Sequence, residues 1–238
     1  YVSFIDSDDW VTPEMMSRMY EKGMETNADI VLCDIYGVDD QTNNTVIERA
    51  PYEQEGILDR KQAVLFSTRP VAVSACTKIY KREIFNRFQF PTGWYEDLAI
   101  MTTIFSYIER IYYLREPHYY YRWNRAGSIQ SQKLSPKTLE IFNAQQKILD
   151  TCNPEFALEA GYAIYDHSAR ICSSFPAYTS QTVAFLNRNI DCFEGNPYVE
   201  NSIKNDIHPR LISRDQIPKT IHYCWFGKEE KGKNILDC

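Results

Sequence analysis

Three features that would each indicate a particular class of protein are missing from this sequence. It has no apolar run near the roughly 20 residues that cross a bilayer, which excludes a transmembrane helix. Its seven cysteines are scattered and none forms a CxxC pair, so reduced thiols fit better than a disulfide framework. It has no excess of basic residues, and the formal net charge of −6 argues against nucleic-acid binding through a basic surface.

The composition that is present is typical of a globular α/β protein. The 238 residues are 44% hydrophobic and 24% charged, which is enough to bury a core. Residues 1–60 hold 14 acidic and 4 basic residues, whereas residues 61–238 hold 18 and 22. An acidic segment facing a mildly basic remainder suits a site that holds a cation and then an anion, although two solvated surfaces would give the same distribution.

The two ends of the chain indicate a larger protein. There is no initiator Met, the first residues already have the pattern of a buried strand, and the chain stops soon after a new strand pattern. We therefore expect that both ends are cut from a longer chain.

Hydrophobic periodicity and turn residues predict a short list of elements. Residues 1–5 and 30–36 are expected to share one sheet with Asp6 and Asp8 at its carboxyl edge, and 38–56 to be a loop or weak hairpin. The predicted helices start at Thr12, as a capping residue before Pro13, and at Asp59. Further predictions are a helix over 96–109, strands over 111–114 and 118–123, and helices from 136 to about 205 with breaks at 153–154, 176 and 196–197.

The first chemical signal is Asp6-Ser7-Asp8-Asp9 at the end of the first strand. Because strand side chains alternate, Asp6 and Asp8 are expected to point the same way. Two neighbouring carboxylates repel each other unless a cation lies between them, and such hard oxygen ligands suit Mg²⁺ or Mn²⁺. The alternative is an acidic turn in which Asp9 caps the next helix.

The second signal is Trp94-Tyr95-Glu96-Asp97, in which an aromatic pair leads into an acidic pair at a helix start. The carboxylates could take a proton from an alcohol, or they could only compensate the helix dipole. The third signal is the tyrosine run that precedes Arg122 and Arg125, two side chains that could hold phosphate oxygens.

Together, the order of these three signals resembles the C-terminal half of the catalytic domain of family 2 glycosyltransferases, of the GT-A fold. The resemblance covers about residues 1–130 and includes the stretch from Lys78 to Phe85. It implies a partial GT-A domain that lacks the nucleotide-binding strand–helix–strand region ahead of the D-x-D. A mainly helical extension over 131–212 would follow. We expect such a chain to be inactive alone, although its parent need not be.

The resemblance also implies roles for particular residues. Asp6 and Asp8 match the D-x-D that holds the divalent ion and the donor diphosphate, with Asp8 as the better direct ligand. Asp97 matches the base that deprotonates the acceptor, and Glu96 is its neighbour. Arg122 and Arg125 would hold the diphosphate, and Trp94 and Tyr95 would border the acceptor site. Some members add a metal-binding His after the acidic pair, whereas here only His118 is near, so a third ligand is not identified.

These roles describe metal-dependent, inverting transfer of a sugar from a nucleotide sugar to an acceptor hydroxyl, with Mn²⁺ or Mg²⁺ as cofactor. The expected setting is bacterial surface or capsular polysaccharide synthesis in the cytoplasm, with peripheral association of the parent with the membrane. Two alternatives stay open. A D-x-D at a strand end also resembles haloacid-dehalogenase-type phosphatases, and a non-catalytic carbohydrate-binding or structural α/β fragment would use the acids as caps.

Residues 217–227 predict a new extended element, because the residue before Pro218 avoids the helix and the following side chains are apolar on both faces. This segment resembles the opening strand of family 32 glycosyltransferases, the capsular-polysaccharide and mannosyl type. If so, residues 217–238 would begin a second transferase domain.

Overall fold

The structure, a computed structural model, describes residues 1–124 and 135–214. Its first part is a mixed sheet with helices packed on it, and residues 135–214 are mainly helical, so the predicted architecture is confirmed. The strands are β1 (Val2–Ser3), β2 (Trp10–Val11), β3 (Ile30–Asp39), β4 (Thr45–Glu48), β5 (Gly56–Ile57), β6 (Lys78–Tyr80) and β7 (Ile111–Trp123). The helices are α1 (Met15–Thr26), α2 (Arg60–Leu65), α3 (Pro70–Val73), α4 (Glu96–Tyr107), α5 (Glu140–Thr151), α6 (Ala157–Ser174), α7 (Thr179–Arg188) and α8 (Pro197–Lys204).

Strand pairing explains which loops come together. In the described part of the chain the strand order is β1-β6-β3-β7-β2, with β4 on β3 and β5 on β7. Since β6 is antiparallel to both β1 and β3, and β7 is parallel to β3, the carboxyl ends of β1, β3 and β7 point the same way. The prediction that residues 1–5 and 30–36 share one sheet is therefore confirmed, since they contain β1 and β3. Ligands of open α/β sheets bind at the carboxyl edge of parallel strands.

One predicted boundary inside the sheet is wrong. Residues 111–123 form the single strand β7 rather than two strands, and Arg115-Glu116-Pro117 is an irregularity within it. The pairing register shifts on both sides of Asp34, where Leu114 and Pro117 face consecutive residues of β3. A bulge accommodates proline because the extra residues leave the hydrogen-bonding ladder. The buried Asp34 carboxylate stabilises the bulge by accepting from the Ala50 N–H (2.9 Å) and the Tyr113 hydroxyl (2.7 Å).

Helix starts were predicted with mixed success. Asp59 caps α2 as predicted, accepting from the Gln62 N–H at 3.0 Å. Thr12 does not cap α1, which begins at Met15 after Glu14 without a side-chain cap. The Thr12 hydroxyl instead contacts His118 Nδ1 at 2.7 Å, because β2 brings this segment against β7. Segment 82–86 is a 3₁₀ helix.

The helical part breaks where the sequence predicts. Asn153 and Asn196 cap a 3₁₀ turn and α8 respectively, each followed by proline in the first turn. Helix α6 passes so close to the 190–192 turn that a Cβ on Gly161 would lie 2.6 Å from the Cys192 carbonyl oxygen. Across the described ranges no helix is both long and apolar enough to cross a bilayer.

Candidate active site

A cleft of about 580 Å³ lies at the sheet edge where β1 ends and β6 begins. Its walls also include the start of α4 and side chains from β4, α5 and α6. Four carboxylates line it, and no Lys or Arg is among its described lining residues. These carboxylates belong to Asp6, Glu48, Glu96 and Asp97. The cleft is therefore strongly acidic and favours a cation.

Asp97 is the most enclosed of the four predicted site carboxylates, and its partner is not in its own helix. Its Oδ2 accepts from the Ala75 N–H at 2.9 Å, so it caps the turn before β6 rather than α4. Burial raises the pKa of Asp97 to about 6, against the lowering effects of the Ala75 N–H and of Lys78. The charges of Glu96 and Asp6 raise the pKa further. A carboxyl group whose pKa lies near neutrality suits proton transfer.

Lys78 is a fully buried cation beneath this carboxylate. Its Nζ donates to Thr77 Oγ1 (3.0 Å) and to the carbonyl oxygens of Val71 (3.3 Å) and Ser74. Burial lowers the pKa of Lys78, whereas the negative charge of Asp97 raises it. Because Lys78 donates to carbonyl and hydroxyl oxygens, Asp97, which lines the cleft, has no ion pair among the described residues.

The loop after β1 is held by β7. The Asp6 N–H donates to the Tyr119 hydroxyl oxygen at 3.2 Å, and the Tyr119 hydroxyl donates to Asp9 Oδ2 at 2.8 Å. Asp9 Oδ1 accepts from the backbone N–H of Arg122 at 3.0 Å. Asp9 is therefore a structural tie to β7 and not the helix cap considered from the sequence. The tie leaves the Asp6 carboxylate exposed and lining the cleft.

Asp8 and His118 are not among the residues that line the cleft. Asp8 is half-buried, and its charge acts on Asp9, Tyr121 and Arg122. Both ring nitrogens of His118 are engaged, Nδ1 with Thr12 (2.7 Å) and Nε2 with the Glu116 carboxylate (3.0 Å). In this structure His118 therefore holds β2 against β7. Within residues 1–124 and 135–214, no group of three His, Cys, Asp or Glu side chains could hold a metal ion.

The aromatic pair before α4 is placed next to the acidic pair. Tyr95 lines the cleft and has a left-handed backbone with φ 62°, a conformation rare for a bulky residue. The backbone N–H of Trp94 donates to Glu140 Oε2 at 3.1 Å, and the indole ring lies 4.3 Å from Lys137 Nζ. The two rings meet edge to face at 6.4 Å. Helix α5 therefore fixes the segment that leads into Glu96.

The two predicted phosphate-binding arginines have different outcomes. Arg122 is paired with Asp40, to which its Nε donates at 3.0 Å, and it is not among the lining residues of the cleft. Arg125 lies outside the described residues, as does the predicted strand over 217–227. Two further lining residues, Glu48 and His167, were not predicted as site residues. Glu48 is in the short strand β4 and His167 is in helix α6, and neither belongs to a sequence motif identified above.

Comparison with known proteins finds similarity to glycosyltransferases in sequence. Residues 1–88 match the family described as Glycosyl transferase family 2. The matched segment contains Asp6-Ser7-Asp8-Asp9 and ends before Glu96 and Asp97. Glycosyltransferase GlyA of Streptococcus pneumoniae is 25% identical over 175 residues, which cover 69% of this chain and 25% of that protein. Glycosyltransferase GlyG of the same organism is 26% identical over 139 residues, covering 54% of this chain and 45% of GlyG.

Comparison with solved structures identifies the fold. A crystal structure of S. aureus TarS in complex with UDP-GlcNAc aligns with a TM-score of 0.57 and 18% identity, over 82% of this chain and 57% of that one. The fold is that of a GT-A glycosyltransferase. The sequence matches agree with this fold and support a glycosyltransferase enzyme. This chain spans between a quarter and somewhat over half of the length of these relatives.

Proposed function

We propose that this chain forms part of the catalytic domain of a metal-dependent, inverting glycosyltransferase that moves a sugar from a nucleotide sugar to an acceptor hydroxyl. One observation carries the proposal. Asp6 and Asp97 lie far apart in sequence and line one cleft at the carboxyl edge of a GT-A-type sheet. The family match over residues 1–88 favours this function over a phosphatase and over a non-catalytic fragment.

The charge of the cleft supports a divalent cation. A nucleoside diphosphate is anionic, and a site lined by four carboxylates repels it unless a cation binds between them. Carboxylate oxygens suit Mg²⁺ or Mn²⁺, which proteins usually bind through one or two carboxylates plus substrate phosphates. Asp6, which lines the cleft, would hold the ion, and Asp8, which does not line it, is proposed as the second ligand from the D-x-D resemblance. The ion would stabilise the leaving diphosphate as a Lewis acid. From the same resemblance, Arg122, which pairs with Asp40 in this structure, and Arg125 are proposed to hold the diphosphate.

Asp97 is proposed as the general base. Its pKa lies close enough to neutrality to accept the proton of an acceptor hydroxyl, and the Ala75 N–H keeps the carboxylate in place. Attack by that hydroxyl opposite the leaving group inverts the anomeric centre. Glu96 would support the negative field around Asp97, and Trp94 and Tyr95 would border the acceptor.

The wider setting is also a proposal. We propose that residues 1–130 are part of the transferase domain and that 131–212 are a helical extension of it. The neighbour TarS binds UDP-GlcNAc, which makes a UDP-sugar the first donor to test. Surface or capsular polysaccharide synthesis at the inner face of the membrane is the proposed context, and a second transferase segment over 217–238 is proposed from its sequence alone.

The test is calorimetric titration of UDP and UDP-GlcNAc into a protein that contains the whole chain, with Mn²⁺ and with EDTA. We expect binding that needs the metal and that weakens at least tenfold in Asp6→Ala and in Asp8→Ala, because each removes a proposed ligand. Asp29→Ala is the matched control, since Asp29 pairs with Lys81 away from the cleft. Equal nucleotide binding in EDTA, or equal weakening in the control, would overturn the metal role. Phosphate release from a generic ester would favour the phosphatase instead.

A further inference from the structure

His167 lies in the helical part of the chain and yet lines the same cleft as Glu96 and Asp97. It lies outside the segment that matches the family, and no metal-binding or catalytic spacing in the sequence marks it. The ring is half-buried, with Thr68, Pro70 and Ile141 among the other residues that line this part of the cleft.

The hydrogen bonds of His167 determine which ring nitrogen is available to a ligand. The side-chain amide of Gln145 lies 2.9 Å from His167 Nδ1 and 3.2 Å from Ser168 Oγ. Nδ1 is therefore engaged within the protein, and Nε2 is the ring nitrogen that a ligand can reach. In the described part of the chain, Nε2 itself has no hydrogen-bond partner.

The imidazole is neutral at physiological pH. Burial lowers the pKa of His167 to about 3, and the positive charge of Arg170 acts in the same direction. A neutral imidazole with Nδ1 engaged offers Nε2 to a ligand in the cleft. Such an uncharged group suits a hydroxyl, which can both donate and accept, whereas a diphosphate selects cations.

The helix that carries His167 is held firmly against the sheet region. The neighbouring Asp166 is fully buried, and its carboxylate accepts from Arg69 (2.6 Å) and Arg170 (3.1 Å). Thr68 Oγ1 donates to the carbonyl oxygen of Ala163 at 3.0 Å. A hydrogen-bond donor on such a rigid element loses little conformational entropy when it binds a ligand.

We propose that His167 is a contact residue for the saccharide acceptor, with its Nε2 hydrogen-bonded to a hydroxyl of the sugar whose reacting oxygen meets Asp97. We assign His167 to the acceptor rather than to the donor because the proposed base, Asp97, must touch the acceptor. From Asp97 the cleft continues along Tyr95, Ile141 and His167, which belong to the start of α4, to α5 and to α6. Asp6, the proposed ligand on the donor side, comes from the sheet edge. This inference rests on the proposed function.

The test uses a protein that contains the whole chain, with UDP-GlcNAc, UDP-glucose and UDP-galactose as donors and a panel of p-nitrophenyl glycosides as acceptors. His167→Phe keeps a flat ring without an N–H, and His167→Gln places an amide N–H at a similar reach. We expect His167→Phe to raise the acceptor KM about three- to tenfold, the loss of one neutral hydrogen bond, with the donor KM unchanged. His167→Gln should restore most of the loss. His167→Phe also loses the contact with Gln145, whereas the amide in His167→Gln can still hydrogen-bond to it.

Further measurements separate the possible failures. In ¹⁵N-histidine NMR of the unmodified protein, His167 should be a neutral imidazole, and a productive acceptor should shift its Nε2 resonance. Thermal unfolding of both variants checks that they fold. An unchanged acceptor KM in folded His167→Phe, or an equal rise in His167→Gln, would overturn the contact while leaving the transferase in place. Absence of sugar turnover in the unmodified protein with every donor would overturn the proposed function and this contact with it.

Discussion

Two enclosed carboxylates, Asp97 in the sheet region (residues 1–124) and Asp166 in the helical region (135–214), have opposite surroundings. In the helical region, fully buried Asp166 contacts Arg69 at 2.6 Å, Arg170 at 3.1 Å and His208 Nε2 at 2.7 Å. In the sheet region, Asp97 accepts one backbone N–H and has no ion pair among the described residues. The nearby cation, Lys78, donates to carbonyl and hydroxyl oxygens instead.

The difference separates structural charge from chemical charge. A carboxylate with several ion-pair and hydrogen-bond partners holds elements together, as Asp166 does between α6, Arg69 and His208. A carboxylate that is enclosed without such partners, as Asp97 is, has a raised pKa and can exchange a proton. Asp166 therefore supports the fold, whereas Asp97 is one of the groups proposed to react.

The largest expected effect concerns Asp97. In a protein that contains the whole chain, Asp97→Asn should lower kcat for sugar transfer by about 10²–10⁴, because the amide cannot accept the proton. The amide oxygen can still accept from the Ala75 N–H, so donor binding measured by calorimetry should survive. Glu83→Gln, an exposed change beside a different surface pocket, is the control and should leave kcat unchanged. Near-normal turnover in Asp97→Asn would mean that Asp97 only caps the turn before β6.

A smaller effect tests the structural side of the comparison. Asp166→Ala should lower the free energy of unfolding by about 3 kcal/mol, because it removes a fully buried carboxylate and leaves the half-buried Arg69 and Arg170 without their partner. Asp191→Ala removes an ion pair with Arg214 in which both side chains are exposed, and it should cost less than about 1 kcal/mol. Urea unfolding of the two variants measures the contrast. Equal losses would show that the Asp166 cluster contributes no more than a surface pair.

The smallest effect is a pH dependence of stability. Because the pKa of Asp97 is raised to about 6 from the ordinary 3.8, the folded state binds a proton more tightly than the unfolded state. This contribution to stability is present below pH 4 and is lost as pH rises to about 6. Asp97→Asn cannot ionise, so its stability relative to the unmodified chain should increase by about 2 kcal/mol between pH 4 and pH 7. Urea unfolding in EDTA measures it, and a constant difference would contradict the raised pKa.

Local signals predicted the elements that depend on nearby residues. Asp59 and Asn196 precede helices and accept backbone N–H groups there, because a cap needs only a residue two or three positions away. The Glu96–Asp97 helix start and the breaks at Asn153 and Pro176 are likewise local. The D-x-D and the acidic pair were identified by residue type and order, and the structure brings Asp6 and Asp97 to one cleft.

Long-range pairing explains what could not be predicted. The sequence suggests a helix-capping role for Asp9 and offers His118 as a nearby metal ligand. In the structure Asp9 bonds to Tyr119 and His118 bonds to Thr12, so both connect the start of the chain to β7, more than 100 positions away. Arg122 had the chemistry to bind phosphate, yet in the structure it pairs with Asp40 across the sheet. No sequence spacing indicates these partners, because register between distant strands is decided by the packing of the whole sheet.

The sequence by itself determined the α/β class, the helical second part and the carboxylates with the right chemistry for sugar transfer, since composition, periodicity and caps act over a few residues. Only the tertiary structure decided which of those groups share a cleft and in what electrostatic state. In the folded chain Asp97 is enclosed near Lys78, and Asp9 accepts a hydrogen bond from Tyr119. His167 of α6 lines the same cleft as Asp97. Burial and the charge of distant neighbours set these properties, and both exist only when the chain is folded.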